Sequence, residues 1–283
     1  MKPVLSLVKL TRWTEYYGTV IIVTFLGVFL VYPTSLQQVF ILLAANLLST
    51  AFAFMFNDVE DAKDDALDKK KKFRNPISAG EISRRNAAIV TSVVGLVSLY
   101  IYYVLGLQIF FLGLLGVFLS FLYSYKRIRL KSIPIADLAS HGYFLGSMYF
   151  LTAIFTGNIW PPVYLIIVIA LCVFLASLLS NINNQIRDYD VDRKVGIRNS
   201  TNIANLARFR TGLDLVWCMA ASIIIGIILF YSTTIVRLII LSIVAFLCAH
   251  YYFKRSDYNN NLYNYPYKQQ MLTLLGLVLL LPA

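Results

Sequence analysis

Eight apolar runs, each close to the roughly 20 residues that a helix needs to cross a bilayer core, leave few folds open to this chain. They lie at about 16–33, 37–56, 86–105, 107–124, 136–156, 162–183, 212–231 and 234–253, and a ninth starts near Gln269 and continues to Ala283. In lipid a backbone must satisfy its own hydrogen bonds, and a helix does so within each run. The expected fold is therefore all-α, a polytopic membrane bundle of about nine transmembrane helices. Charged residues make up only 14% of the 283, against a share of about 25% in soluble domains.

The connectors alternate. Short ones ("PTSLQ", "GL", "TGNIWP", "ST") separate long polar ones at 57–85, 125–135, 184–211 and 254–268. The four long connectors and the N-terminal segment hold every Lys and Arg except Arg237. Positive-inside bias then places the N-terminus and all four long connectors on the cytoplasmic side. Topology accounts for most of the net charge of +11, so a nucleic-acid partner is not required, and anionic membrane lipid is the expected neighbour of the basic face. The N-terminal stretch 1–15 is interrupted by Lys9, Arg12 and Glu15, which argues against a cleaved signal peptide. It reads as an interfacial helix with Trp13, Tyr16 and Tyr17 at headgroup level. Cys172, Cys218 and Cys248 lie inside apolar runs and read as small buried hydrophobes, not as disulfide or thiolate chemistry.

Acidic residues do little to set topology, yet they crowd two of the long connectors. In the first, Asn57, Asp61 and Asp65 stand four apart; in the third, Asn184, Asp188 and Asp192 repeat the spacing. Side chains four apart share a helical face, where like charges repel unless a cation lies over them. Oxygen ligands with no His or Cys among them suit magnesium, which commonly binds through a few carboxylates and a substrate phosphate. One such run alone reads as a solvated loop or a helix cap. Two copies, each ending an even-numbered span, point to a cation site and to two repeated four-helix halves followed by a last span. Arg74 and Arg198 follow the two motifs and could complete a diphosphate cradle. The lysine run 69–72 reads as a solvated patch. The second connector adds Tyr123, Lys126, Arg127, Arg129 and Lys131 without an acidic residue; topology explains these cations as well as function does, and Tyr123 fits a belt aromatic equally. Asp137 and Asp214 stand near span starts, where a carboxylate is costly and often functional. His141 reads as a packed, hydrogen-bonded imidazole.

These residues resemble the UbiA superfamily of intramembrane prenyltransferases. Asn57, Asp58, Asp61 and Asp65 fit the family's N-D-x-x-D-x-x-x-D pattern, Asp188 and Asp192 its D-x-x-x-D pattern, and "RNPISAG" its Arg-containing segment after the first motif. The family's Y-x-x-x-K element is matched by Tyr123 with Arg127, with Lys126 one place early and "RLK" at 129–131. The resemblance covers essentially the whole chain and implies one integral-membrane domain over 1–283, with a central cavity open to lipid. It implies two Mg2+ ions held by Asn57, Asp58, Asp61, Asp65, Asp188 and Asp192. It implies a polyprenyl diphosphate bound by Arg74, Arg198, Asn57 and Asn184, with Asp61, Asp188, Tyr123, Lys126, Arg127 and Lys131 in catalytic roles. The implied reaction moves the prenyl group to a lipophilic acceptor. Which cation of 126–131 meets the phosphate stays open, as do the acceptor and the prenyl length. A CDP-alcohol phosphotransferase would carry a compact D-x-x-D-G-x-x-A-R block, which is missing. A transporter would carry its carboxylates near the bilayer midplane, whereas these cluster at one interface; a non-catalytic relative would have no need of both sets.

Overall fold

The computed structural model describes residues 2–31, 35–194, 196–204, 210–253 and 265–280. The side chains of Asp192, Asp214 and Cys248, and most of the 254–268 connector, lie outside the described residues. The helices are α1 (Lys2–Thr11), α2 (Tyr17–Val31), α3 (Leu36–Asp65), α4 (Lys69–Arg74), α5 (Arg84–Leu105), α6 (Leu107–Ser124), α7 (Ala136–Gly142), α8 (Met148–Ile154), α9 (Val163–Lys194), α10 (Ser200–Ala204), α11 (Arg210–Tyr231), α12 (Thr234–Phe253) and α13 (Tyr265–Val278). No strand occurs among the described residues.

Local chemistry sets the boundaries. Ser83 caps α5 by accepting from Asn86 N, and Asp68 caps α4 by accepting from Lys71 N, as short side-chain acceptors do for the orphan N–H groups of a first turn. Gly106, at φ 136°, takes the backbone through a conformation that favours glycine and lets α6 turn straight back along α5. Two helices overrun their apolar sequence. α3 continues from the 37–56 run to Asp65 and α9 from the 162–183 run to Lys194, so both acidic motifs stand on rigid helical extensions of the spans.

Four helices among the described residues are long and apolar enough to cross a bilayer: α3, α5, α6 and the Val163–Ile186 part of α9. The N-terminal segment and α2 make a fifth if their 54° bend is taken as a break within one span. Shorter apolar stretches lie at Cys218–Tyr231 and Thr234–Phe246. The expected 136–156 span is divided into α7, a π-turn at Tyr143–Ser147 and α8; such turns appear as local insertions within helices.

The N-terminal helix is tied to the bundle more closely than an interfacial helix needs to be. Trp13 is exposed, as a headgroup aromatic should be, but Tyr16 is buried and stacks on Phe54 with ring centroids 5.1 Å apart. One side of this segment is exposed at Trp13, and the other packs on α3. At the bend, the buried Gln269 of α13 accepts from Thr19 N (3.0 Å) and donates to Glu15 O (2.7 Å), satisfying backbone groups that the broken helix leaves over. Gly18 allows this approach, because a Cβ there would lie 2.1 Å from the Gln269 carbonyl oxygen.

A buried polar knot locks the spans together. Asn46, in the middle of α3, donates to Thr24 Oγ1 (2.9 Å) and accepts from Tyr102 OH (2.7 Å). Tyr102 OH also meets Ser49 Oγ (3.0 Å), and Thr50 Oγ1 meets Tyr149 OH (2.7 Å). Interhelical hydrogen bonds of this kind are each worth about 0.6–2 kcal/mol in membranes. Asn46→Ala strands partners on α2 and α5, so it is expected to lower stability by about 1–2 kcal/mol, read as an earlier thermal transition in detergent. An unchanged transition would show that the knot holds nothing.

Candidate functional site

The C-terminal extension of α3 presents two charged faces. On one, Asn57 Oδ1 accepts from Ser124 Oγ (3.1 Å) and from Lys131 Nζ (3.0 Å), and the same ammonium forms a close ion pair with Asp61 Oδ2. Arg129 Nη2 reaches Asp61 Oδ1 at 3.3 Å and Asp64 Oδ2 at 3.0 Å. Lys126 Nζ adds Asp64 Oδ1 at 3.3 Å, and its backbone N–H donates to Glu60 Oε2 at 3.0 Å. The connector from α6 to α7 thus lies over the first motif as a strip of cations. It can do so because α6 stops at Ser124 and Arg129 adopts a left-handed conformation, φ 51°, uncommon for a residue with a Cβ.

On the other face Asp58 is fully buried. Arg12 Nη1 approaches it at 3.3 Å, while the same guanidinium pairs with Glu15 (2.6 Å) and lies over the Phe54 ring, 4.7 Å from its centroid. Asn75, in the segment after the lysine run, donates to Asp65 Oδ2 and to the Asp58 carbonyl, both at 2.9 Å. Arg74 stands beside Asp58 and Asp65, close enough for its charge to act on both. The Nε atoms of Arg74 and Arg129 are buried without a hydrogen-bond partner among the described residues.

The second motif reaches the first through a residue read as part of a solvated patch. Lys71 Nζ lies 3.5 Å from Asp188 Oδ2, so the lysine run contributes one cation to the space between the motifs, while Lys69 and Lys72 are exposed. Asn184 is half-buried. Tyr123 points into the bundle instead of toward headgroups, its OH donating to Asn181 Oδ1 at 3.5 Å and its ring 5.4 Å from that of Phe144. His141 is buried and packed as the sequence suggested, with Nδ1 3.1 Å from Ser177 Oγ. Arg127 and Arg198 are exposed and form no ion pair or hydrogen bond among the described residues. Asp137 is fully buried and joins α7 to Ser200 and Gln185. The structure therefore gathers Asn57, Asp61, Lys126 and Lys131 in one cluster, puts Asp58, Asp65 and Arg74 on the adjoining face, and leaves Arg127 and Arg198 outside. Arg12, Asp64, Lys71, Asn75 and Arg129 lie outside the motif spacings, and each reaches its partner in the site across a gap in sequence.

Among the described residues no three carboxylate, imidazole or thiol groups converge on a single point. The donor chemistry nevertheless fits a hard cation. An amide oxygen and a carboxylate oxygen, one helical turn apart, already converge on the positive charge of Lys131, and Asp188 likewise faces a positive charge.

A helical membrane bundle that carries two acidic motifs on helical extensions of its spans, with Lys71 after the first motif reaching Asp188 of the second, belongs to a recognisable class of membrane proteins. The chain matches the UbiA prenyltransferase family over residues 20–272 and belongs to it. Curated relatives include a digeranylgeranylglyceryl phosphate synthase of Pyrococcus horikoshii, 28% identical over 50% of this chain and 49% of its own. One of the same name from Haloquadratum walsbyi is 28% identical over 76% of this chain and 75% of its own. The chain spans about half the length of the first of these. Among solved structures, a UbiA homologue from Archaeoglobus fulgidus bound to GPP and Mg2+ superposes with a TM-score of 0.72 at 21% identity, covering 97% of this chain and 95% of that one. A structure described for digeranylgeranylglyceryl phosphate synthase in membranes gives 0.62 at 16% identity, over 99% and 97%. At these identities the likeness is one of fold.

Proposed function

We propose that this protein transfers a polyprenyl group from a prenyl diphosphate to a lipophilic acceptor. The position of Lys131 carries the reading: its ammonium sits between oxygens of Asn57 and Asp61 at the end of an apolar helix. An amphiphile with a charged head and an isoprenoid tail matches that juxtaposition, the head among these groups and the tail in lipid.

Asn57, Asp58, Asp61 and Asp65 from α3, with Asp188 and Asp192 from α9, would hold magnesium, two ions on this reading. Asp58, sealed against Arg12, is the least accessible of the set. Bound there, the metal supplies positive charge for the departing diphosphate. The chain's own cations share that work. Arg74 and Arg129 each keep a buried, unpartnered Nε, a state that a phosphate oxygen relieves. Lys131 and Lys71 already span the space between the motifs and their connectors. As the allylic C–O bond breaks, its electron pair leaves with diphosphate and a carbocation remains. The aromatic file Phe52, Phe56, Phe121 and Tyr125, with successive centroids 5.7, 4.9 and 4.9 Å apart, runs from α3 across to α6 and the residue that follows it, and offers π-faces to a carbocation.

The same reading takes the chain as one domain with nine crossings: α2, α3, α5, α6, the α7–α8 run, α9, α11, α12 and α13. The N-terminus and the motif connectors then face the cytoplasm, as the Lys and Arg distribution favours. The names of the relatives favour an acceptor lipid bearing glyceryl phosphate. The test incubates the purified protein and Mg2+ with geranylgeranyl diphosphate and a panel of acceptors headed by a prenylglyceryl phosphate, with products identified by mass spectrometry. A prenylated acceptor supports the reading; unreacted donor and acceptor across the panel would refute it. Arg74→Ala should weaken donor binding about tenfold without changing which acceptor reacts, and unchanged donor affinity would remove Arg74 from the cradle.

A further inference from the structure

Asp137 is fully buried and has no cationic partner among the described residues, yet its carboxylate is saturated. Oδ1 accepts from Ser200 Oγ (2.5 Å) and Leu138 N (2.8 Å); Oδ2 accepts from Ser200 N (2.8 Å) and Gln185 Nε2 (2.9 Å). Gln185 in turn accepts from Thr201 N at 3.3 Å, and Asn181 donates to the Asp137 carbonyl at 3.3 Å. One carboxylate thus binds α7, the helix of the second motif and the turn that follows it. Ser200 carries the connection one step further, because its Oγ also accepts from Ile135 N at 2.7 Å. Ile135 is held at φ 71°, ψ −47°, a conformation that a β-branched residue avoids and that persists only where its surroundings enforce it. That residue ends the turn which begins with Lys131 on Asn57 and Asp61. Ser200 and Asp137 therefore join the second half of the molecule to the end of the turn that carries Lys131 over the first motif.

We propose that Asp137 and Ser200 are positioning residues for the diphosphate site, acting as a staple that fixes the Ile135 turn and so keeps Lys131 and Arg129 over Asp61. The proposal rests on the reading of that cluster as the donor site, and neither residue itself touches the substrate. With the staple removed the Ile135 backbone relaxes toward negative φ and the cationic strip loses its register with α3. A general role in folding would lower stability alone; positioning alters what Lys131 does.

Two readouts separate the proposal from the function on which it rests. The first needs no substrate: the full-length protein in detergent is treated with acetic anhydride, and the acetylation of buried Lys131 is compared with that of exposed Lys126 by mass spectrometry. Ser200→Ala should raise the Lys131 rate about tenfold, and Ser200→Thr, which keeps the hydroxyl, should restore protection. Continued protection in Ser200→Ala, or equal exposure in the Thr variant, would overturn the staple whether or not the protein binds a donor. The second is Mg2+-dependent binding of geranylgeranyl diphosphate. Ser200→Ala should weaken it in the native background and add clearly less in a Lys131→Ala background, since the two changes share Lys131 and only the Arg129 contact is left to lose; fully additive losses would overturn the proposal. Failure of the unaltered protein to bind the donor would count against the proposed function, and the acetylation result would still decide the staple.

Discussion

Asp61→Ala is expected to reduce diphosphate release by about a thousandfold while the protein keeps its thermal transition. Asp61 is the one carboxylate of the first motif that meets both Lys131 and Arg129. Its removal leaves two cations without their shared counter-charge and takes one hard oxygen ligand from the cation position. The fold should tolerate this, because Asn57 and Asp64 still engage the cationic strip and the apolar packing of α3 is untouched. Asp61→Asn keeps the shape and loses the charge, so it should be almost as inactive. Asp188→Ala should match it from the other motif. Full activity in either alanine variant would end the two-motif account.

Lys131→Ala is expected to produce two effects of opposite sign. Donor affinity should fall about tenfold or more, because a charge-assisted contact to phosphate is lost. Divalent-metal binding in the absence of donor should tighten, because the ammonium between Asn57 and Asp61 no longer competes for those oxygens. Arg127→Ala, at an exposed residue without a partner among the described residues, should leave both affinities within about twofold. Calorimetric titrations with Mg2+, then with geranylgeranyl diphosphate, read both quantities. A Lys131→Ala variant that loses metal affinity together with donor affinity would mean that the lysine supports the site instead of competing within it.

The contrast between Lys131 and Arg127 shows how far the sequence could be read. A four-residue spacing from Tyr123 selects Arg127 only if the helix continues, and α6 ends at Ser124. Beyond that point the left-handed turn at Arg129 decides which cations face inward, and nothing in the local spacing foretells it. The acidic stripes were legible because they lie on uninterrupted helix, where period alone assigns a face. Even there the stripe divides: Asn57 and Asp61 meet the connector cations, while Asp65 turns to Asn75 and Asp58 to Arg12. The apolar runs located the four helices long and apolar enough to cross a bilayer among the described residues, α3, α5, α6 and the Val163–Ile186 part of α9, since lipid permits little besides helix. They did not give the π-turn at Tyr143–Ser147 or the burial of Tyr16, both of which depend on neighbours from elsewhere in the chain. Lys71 is the same case: a lysine in a run of four looks solvated until a carboxylate more than a hundred positions away arrives beside it.

Whether the two motifs and their metal drive prenyl transfer is decided by diphosphate release from geranylgeranyl diphosphate by the purified protein, with Mg2+ and with a chelator, in the presence of a prenylglyceryl phosphate. Release should require the metal, rise with acceptor and disappear in Asp61→Ala. Release that persists in chelator, or that survives intact in Asp61→Ala, would contradict it.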